Sequence, residues 1–385
     1  MQQNRVHIAA HMLDWARERS GRPDSFFTRK FPKYDAWHRG EVFPTLKQME
    51  NFAKATYTPI GYFFLSTPPE DKLPIPDFRA MGGELPRKPS PNLLDMIYIC
   101  LQRQGWYQDY AQRMDESPRT FVGSASISDS VESVAKNIRD ALNFDLNARL
   151  NCLTWTDALG FFVEQTEDLG ILVMRSGVVG NNTHRPLNPQ EFRGFALADS
   201  FAPLIFINSR DTKAAQMFTL AHELAHIWIN QSALSDAGIR TFPDQKVEAW
   251  CNQVAAELLV PMHILNAEFS PEKDMMTEVQ RLARFFKVST LVILRRIFDS
   301  GKITKIAFHE AYDRELERLL SKIQTGRGGG DFYLTQAARV GKRFAHALVV
   351  STLEGHTLYR DAMQMLGVKR VEAFNEIGRN VGVNI

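Results

Sequence analysis

The chain has 385 residues, of which 44% are hydrophobic and 23% are charged, a composition that is ordinary for a globular protein of two or three domains. Its formal net charge of +2 gives the whole chain no strong electrostatic attraction for nucleic acid or a membrane surface. No apolar run reaches about 18 residues and no secretory core follows the first residues, so we expect no membrane span, leader or membrane partner. Three widely spaced cysteines, Cys100, Cys152 and Cys251, indicate reduced thiols and a cytoplasmic location.

The N-terminal region is predicted to be a small helical domain. Residues 6–20 carry an apolar face and Gly21 ends this helix, while Thr45 is a good N-cap for another. Between them, Pro23 and Pro32 interrupt a stretch that is short for two complete helices. Basic side chains here could contact DNA phosphates or form the solvated face of a protein-binding module; they are Arg22, Arg29, Lys30, Lys33 and Arg39.

A proline-rich run follows at residues 68–91, which cannot form a long helix and is predicted to be an extended linker or strap. Residues 92–113 have the pattern of an amphipathic helix, and Ser128 or Ser130 caps a second one that ends near Leu142. We interpret 92–168 as a helical connector.

Three short apolar runs are predicted strands: 171–174, 194–198 and 204–208. A strand beside a catalytic helix can bind a peptide by adding it to the sheet edge. The alternative is that the last two strands only support the helix that follows them.

That helix contains the sequence His222-Glu223-Leu224-Ala225-His226 within a continuous helical pattern. Residues four apart on a helix differ by about 40°, so His222 and His226 project side by side and can bind one metal ion. Glu223 lies about 100° from His222, where it can accept a proton from a water molecule on that metal. Apolar neighbours on most sides predict that the helix is buried, which favours a zinc site over two chance histidines.

A catalytic zinc ion takes three protein ligands and a water, and the candidates for the third ligand are Asp236, Asp244, Glu248 and Glu257. Residues 246–260 are a predicted helix that ends at Pro261. Glu248 and Glu257 lie about 180° apart on it, so only one can face the metal. We choose Glu248.

The choice of Glu248 leads to an expected role for three other residues of that helix. Asn252, one turn after Glu248, is placed to hydrogen-bond the free ring nitrogen of a metal-binding histidine. Glu257 is then expected to be a charge that faces solvent. Cys251 could lie near the metal and sense oxidants, but we expect a buried, inert thiol.

The remaining chain is predicted to be helical. Residues 278–286 and a second helix capped around Ser289 have a helix-turn-helix-like shape, and Arg295 and Arg296 either mark a polyanion surface or form salt bridges with a neighbouring domain, which we favour. The glycine-rich stretch 324–330 lacks the lysine and the strand-to-helix context of a phosphate loop and is interpreted as a hinge.

The motifs of 218–226 and 248–261 together resemble the ImmA/IrrE family of bacterial and phage metallopeptidases. The resemblance implies that His222, His226 and Glu248 hold zinc in a gluzincin-like site and that Glu223 is the general base. The upstream segments 191–197 and 202–208 look like the strands that precede the zinc helix in that family. The N-terminus resembles the Xre-type helix-turn-helix module, and 328–333 looks like the C-terminal segment of a long-chain subgroup.

The expected fold is therefore α+β and mostly helical. It consists of an N-terminal helix-turn-helix bundle, a central zincin-like metallopeptidase with a small β-sheet, and a helical C-terminal region. The predicted segments are 1–67 for the Xre-like domain, 68–91 for the linker, 92–265 for the connector and peptidase, 266–325 for the second helix-turn-helix-like region, and 326–385 for the C-terminal helices.

The predicted function is zinc-dependent peptide hydrolysis, with His184, Arg193 or His263 as a second donor to the oxyanion. Two histidines and a glutamate also accept manganese, iron or cobalt. The resemblance implies a narrow substrate, a regulator such as a repressor, cleaved in a stress or mobile-element response. The alternative is a DNA-binding transcriptional regulator or an antitoxin-like partner of a toxin, in which zinc is structural or sensory.

Overall fold

The computed structural model describes residues 5–77, 88–235, 246–323 and 332–385. The described residues fall into two compact units, one drawn from 1–74 and 87–98 and the other from 75–86 and 99–385. The chain is mostly helical with a small mixed sheet, as the predicted α+β class requires. None of the described helices is long and apolar enough to cross a membrane.

The first unit is built on aromatic side chains that pack around Phe52. The predicted Thr45 cap is confirmed, because its side chain accepts a hydrogen bond from the Gln48 amide and the Gln48 side chain accepts one from Thr45 N. The helices are α1 (Ala10–Arg19), α2 (Asp24–Lys30), α3 (Tyr34–His38) and α4 (Leu46–Thr56), followed by a 3-10 turn at Ile60–Phe64.

Two details of this unit differ from the predicted helix-turn-helix domain. The first helix begins at Ala10 and not at residue 6, because the backbone of Val6 instead donates a hydrogen bond to Pro44 O at 2.8 Å. The second is that α3 has only five residues, of which Tyr34 and Trp37 are buried. A helix of little more than one turn leaves few side chains for a DNA groove.

The second unit contains a four-stranded sheet and a separate two-stranded sheet. The strands are β1 (Leu172–Ser176), β2 (Val178–Val179), β3 (Asn182–Pro186), β4 (Gly194–Leu197), β5 (Leu204–Asn208) and β6 (Ala233–Ser235). The larger sheet has the order β1-β5-β4-β6, in which β1 and β5 are parallel and β4 is antiparallel to both β5 and β6. The smaller sheet is formed by β2 and β3, which are antiparallel.

The strand next to the motif helix is internal to the sheet, since β4 has a partner on each side. The edge strand on this side is β6, and it is itself bridged by the proline-rich segment: Leu234 N donates to Pro76 O at 2.9 Å, beside Asp77. A peptide therefore cannot add directly to β4 in this arrangement.

Helices cover both faces of the sheet. One face meets the helix that carries the histidine motif. The other face meets helices of the C-terminal region and the long helix of residues 91–113, whose Gln104 donates to Leu197 O and Ala202 O. In chain order, the helices up to and including the one that carries Glu248 are α5 (Pro91–Arg113), α6 (Val131–Ala141), α7 (Leu146–Leu150), α8 (Trp155–Asp168), α9 (Lys213–Trp228) and α10 (Lys246–Leu259). The predicted cap at Ser130 is confirmed.

After α10 the described chain is entirely helical apart from its connections. Ser289 caps its helix by accepting from Val292 N, as predicted. The glycine-rich stretch 324–330 lies outside the described residues. The helices are α11 (Met262–Glu268), α12 (Met275–Phe286), α13 (Thr290–Asp299), α14 (Lys305–Ile323), α15 (Phe332–Val340), α16 (Lys342–Leu353), α17 (Tyr359–Leu366) and α18 (Val371–Asn380).

Gly341 breaks the helical run of the C-terminal region between α15 and α16. Its φ is 83°, and a Cβ there would lie 2.9 Å from Val173 O, so only glycine fits. Glu167, at the end of α8, accepts a hydrogen bond from Arg343 N at 3.1 Å and thereby caps α16 from another element. Burial raises the pKa of Glu167 to about 7 despite this bond.

This shift predicts how stability depends on pH. A carboxyl with a folded-state pKa above its usual 4.5 binds protons more tightly in the folded state, so stability is lost as the pH rises from about 4.5 through 7. We expect Glu167→Gln, which mimics the protonated form, to raise the free energy of unfolding by up to about 3 kcal/mol at pH 8 and by little at pH 5. Urea denaturation of the full chain at both pH values measures this. Glu164→Gln, an exposed change on the same helix, is the control, and equal effects of Glu167→Gln at both pH values would contradict the account.

Candidate metal centre

The motif helix α9 is enclosed by protein along its length. Thr212 caps its start by accepting from Ala215 N at 3.2 Å, and every residue from Gln216 to Trp228 is buried. The helix contacts β4 and β5 on one side and α8 and α10 on others. Polar side chains in such a place must be compensated, because removing them from water without partners is costly.

Three ligand-type atoms converge between α9 and α10. The Nε2 atoms of His222 and His226 lie 3.1 Å apart. Glu248 Oε2 is 3.2 Å from His222 Nε2, and Glu248 Oε1 is 3.1 Å from His226 Nε2. Ligand atoms about 2.0–2.1 Å from a tetrahedral zinc ion would be about 3.3 Å from one another. The separation and chemistry of this donor set therefore fit a divalent metal of the zinc type.

The electrostatics of the cluster also suit a cation. Burial by itself raises the pKa of Glu248, but the two histidines outweigh it and hold that pKa at about 2, so the carboxylate is ionised. Burial lowers the pKa of His226. Burial also opposes the charged form of His222, but Glu248 outweighs it there and raises the His222 pKa. Metal and proton compete for the same three atoms, since a ligating imidazole is neutral.

Asn252 lies one turn after Glu248 and contacts the far side of His222. Its Oδ1 accepts a hydrogen bond from His222 Nδ1 at 2.9 Å. With Nδ1 as the donor, the lone pair is on Nε2, which is the atom that faces Glu248 and His226. Asn252 is thus hydrogen-bonded to one of the three ligand-type side chains, as a residue that orients a metal ligand would be.

Glu223 is fully buried and lies against the first residue of β4. A Cβ on Gly194 would be 3.2 Å from Glu223 Oε1, 2.5 Å from Thr219 Cγ2 and 2.8 Å from Phe206 O. Glycine at this position lets the strand pass close to the carboxylate. Our sequence prediction treated Gly194 only as a strand residue, although a glycine within a strand pattern signals a close approach.

Two other predicted donors lie away from the cluster. His184 on β3 and His263 on α11 are exposed, and the described contacts place neither beside the three ligand atoms. Arg193 adjoins Gly194 in the chain, but its Nε faces Asp211 Oδ2 at 3.6 Å. Asp236 and Asp244 lie outside the described residues.

The expectation that Glu257 faces solvent is wrong. Its residue surface is 4% exposed, it forms an ion pair with Arg296 of α13, and it accepts a hydrogen bond from Met262 N at 3.2 Å. The opposite face of α10 meets another helix, which periodicity cannot reveal. The salt bridge that we expected for the arginine pair is thus made by Arg296, while Arg295 pairs with Asp299 of its own helix.

Cys251 is buried between these two faces of α10. Burial, with a contribution from Glu248 and Glu223, raises the pKa of its thiol well above the usual value. A protonated, enclosed thiol is unreactive, in keeping with the inert role that we expected.

The buried ion pair predicts an asymmetric response to mutation. Arg296→Met leaves Glu257 charged and without its partner, and we expect it to lower the free energy of unfolding by about 3–5 kcal/mol. Adding Glu257→Gln should recover much of this loss, because the uncompensated charge is then removed. Chemical denaturation of both variants measures the effect, with Arg295→Met as the control. A loss for Arg296→Met no larger than that for Arg295→Met would contradict the assignment.

The contact of Asn252 with His222 predicts a change in metal affinity. Asn252→Ala removes the acceptor that fixes the ring, and we expect zinc affinity to fall about 10- to 100-fold. Competition with a zinc chelator measures it, and Gln253→Ala, an exposed neighbour on α10, is the matched control. The interpretation fails if the two variants bind zinc equally well.

Comparison with known proteins assigns the part of the chain that contains this cluster. Residues 166–298 match the peptidase family model described as the IrrE N-terminal-like domain, and residues 340–380 match a domain of unknown function. No curated protein matches the chain significantly. The first match spans about a third of the chain, from the end of α8 to α13, and includes all three ligand-type residues. It suggests a metallopeptidase-like function and supports the ImmA/IrrE resemblance that the motifs indicated.

Proposed function

We propose that the chain is a zinc-dependent metalloendopeptidase of narrow specificity that cleaves a regulatory protein. The observation that carries the proposal is the buried convergence of His222, His226 and Glu248, whose ligand-type atoms lie 3.1–3.2 Å apart. Glu223 lies on the same helix as the two histidines. Two imidazoles and a carboxylate leave a position for water on zinc, as in catalytic sites.

When bound, zinc supplies Lewis acidity and makes a water acidic near neutral pH. The protein residues do the rest. Glu223 accepts the proton of the attacking water and passes it to the leaving amine. Gly194 admits the Glu223 carboxylate close to β4, and Asn252 keeps the His222 Nε2 lone pair directed at the ligand cluster.

Narrow specificity is supported by how deeply the site is buried. His222, Glu223 and His226 have no exposed surface, and Glu248 has 3%. A folded protein surface cannot reach such groups, whereas a flexible segment can when the surrounding elements move. The sheet edge on the side of β4 is also covered, by β6 and the Pro76–Asp77 segment, so strand addition at that edge requires displacement of that segment.

A repressor or similar regulator as the substrate, and a stress or mobile-element response as the setting, are supported by the family resemblance. A substrate protein is what the peptidase match suggests. An N-terminal unit joined to the peptidase-like part by a proline-rich segment would suit delivery to such a partner.

The test of this proposal is Glu223→Gln. The substitution keeps the size of the side chain and removes the base, so we expect the fold and bound zinc to persist and cleavage to fall by about 10²- to 10⁴-fold. Mass spectrometry of new protein N-termini, in cells that express wild type or the variant, measures cleavage of any substrate protein, whatever its identity. Glu310→Gln, an exposed change on α14, is the control. The same new termini at the same abundance with Glu223→Gln would rule out this catalytic role.

The second candidate is a DNA-binding regulator or an antitoxin-like partner of a toxin, with structural or sensory zinc. The α2–α3 pair of the first unit is the observation in its favour. Against it, α3 is very short, Arg22 lies over Phe26 and Tyr57, and Arg39 pairs with Glu41, so these cations are already engaged. This candidate predicts that Glu223→Gln retains all regulatory activity.

A further inference from the structure

A cavity of about 310 Å³ lies in the second unit, bordered by α5, α8 and α16, and none of its lining residues belongs to the candidate metal centre. Its inner surface includes the buried Tyr107 and Glu167. Arg343 reaches both, since its Nε donates to Tyr107 OH at 2.8 Å and its backbone N–H to Glu167. The volume is within the range of small-molecule sites.

One wall of this cavity is acidic, and another carries a lysine and a histidine. Glu164 and Asp168 lie four residues apart on α8, and Lys342 and His346 lie four residues apart on α16. Side chains at this spacing share one face of a helix, so each helix presents a pair of like groups to the cavity. Within the described part of the chain, no ion pair joins either wall to the other.

The two acidic side chains do not stabilise each other. Two carboxylates four residues apart on a helix repel each other, at a cost of about 0.2–0.5 kcal/mol. Glu167 joins the two helices at the start of α16, whereas Glu164, Asp168, Lys342 and His346 form no ion pairs with one another and leave room for a ligand that contacts both walls. The Arg343 guanidinium also lines the cavity, but it is already held by Tyr107 and lies 3.5 Å from Glu116. The ligand's anionic group is therefore left to Lys342 and His346.

We propose that the cavity binds a small zwitterion, an α-amino acid. Its ammonium group contacts Glu164 and Asp168, and its carboxylate contacts Lys342 and His346. The aromatic ring of Tyr110 and the methyl group of Ala347 offer apolar contact to an uncharged side chain. Both charges of the ligand are required, because each wall is satisfied by only one of them.

The position of the cavity gives the ligand a role that does not depend on catalysis. Asp168 lies within the segment that matches the peptidase model, and Lys342 and His346 lie within the second matched segment. A bound amino acid therefore holds these two parts of the second unit together at the junction where Glu167 caps α16. Binding is a property of the folded chain and can be measured whether or not the metal centre is catalytic.

The test is calorimetric titration of the full chain with L-leucine and L-phenylalanine, in parallel with leucine amide and N-acetyl-leucine. We expect both zwitterions to bind and the two singly charged derivatives to bind at least about tenfold more weakly. Failure of both amino acids to bind at millimolar concentration overturns the proposal. Equal binding of leucine and either derivative also overturns it, because one wall is then unused.

Variants locate the binding. Asp168→Asn and Lys342→Gln should each weaken leucine binding by about tenfold or more, while Lys305→Gln, an exposed change on α14, leaves it unchanged. Both pocket positions are exposed, so folding should persist, and circular dichroism checks it. Leucine affinity that is unchanged in both pocket variants places the binding elsewhere and contradicts the proposal.

Discussion

The burial of four ionisable side chains on two packed helices is the constraint on which the rest of this structure depends. His222, Glu223, His226 and Glu248 are almost completely removed from water, and groups of this kind are stable inside a protein only when other charges or a metal compensate them. The ligand-type atoms of His222, His226 and Glu248 meet that need, because their mutual distances fit a tetrahedral cation. The peptidase family match covers this part of the chain.

The position of α10 decides whether Glu248 reaches the histidines, and the other end of that helix is firmly held. Three arginines donate hydrogen bonds to its last carbonyls: Arg139 to Glu257 O, Arg149 to Leu259 O and Arg296 to Val260 O. Cations at the C-terminal end of a helix are stabilised by its dipole and by the free carbonyl groups. The same region that binds Glu257 thus fixes the helix that presents Glu248 and Asn252.

Sequence reasoning succeeded where local spacing determines the result. The four-residue spacing of His222 and His226 and the opposite faces of Glu248 and Glu257 follow from helix geometry alone, and so do the caps at Thr45 and Ser289.

Sequence reasoning failed where an element distant in the chain decides the structure. The partner of Glu257 comes from α13, and the residue that leaves room for Glu223 comes from β4. The three-residue strand β6 carries too little pattern to be predicted, yet it changes which sheet edge is open. The cavity at α8 and α16 joins segments far apart in the chain, which no periodicity connects.

The buried cluster of His222, His226 and Glu248 is a candidate metal site, and its metal content can be measured directly. The most direct measurement is elemental mass spectrometry of wild type and His222→Ala, purified without added metal, with His263→Ala as an exposed histidine control. We predict close to one zinc ion per chain in wild type and in His263→Ala, and its loss in His222→Ala. An absence of zinc from wild type, even after zinc is added, would contradict the claim.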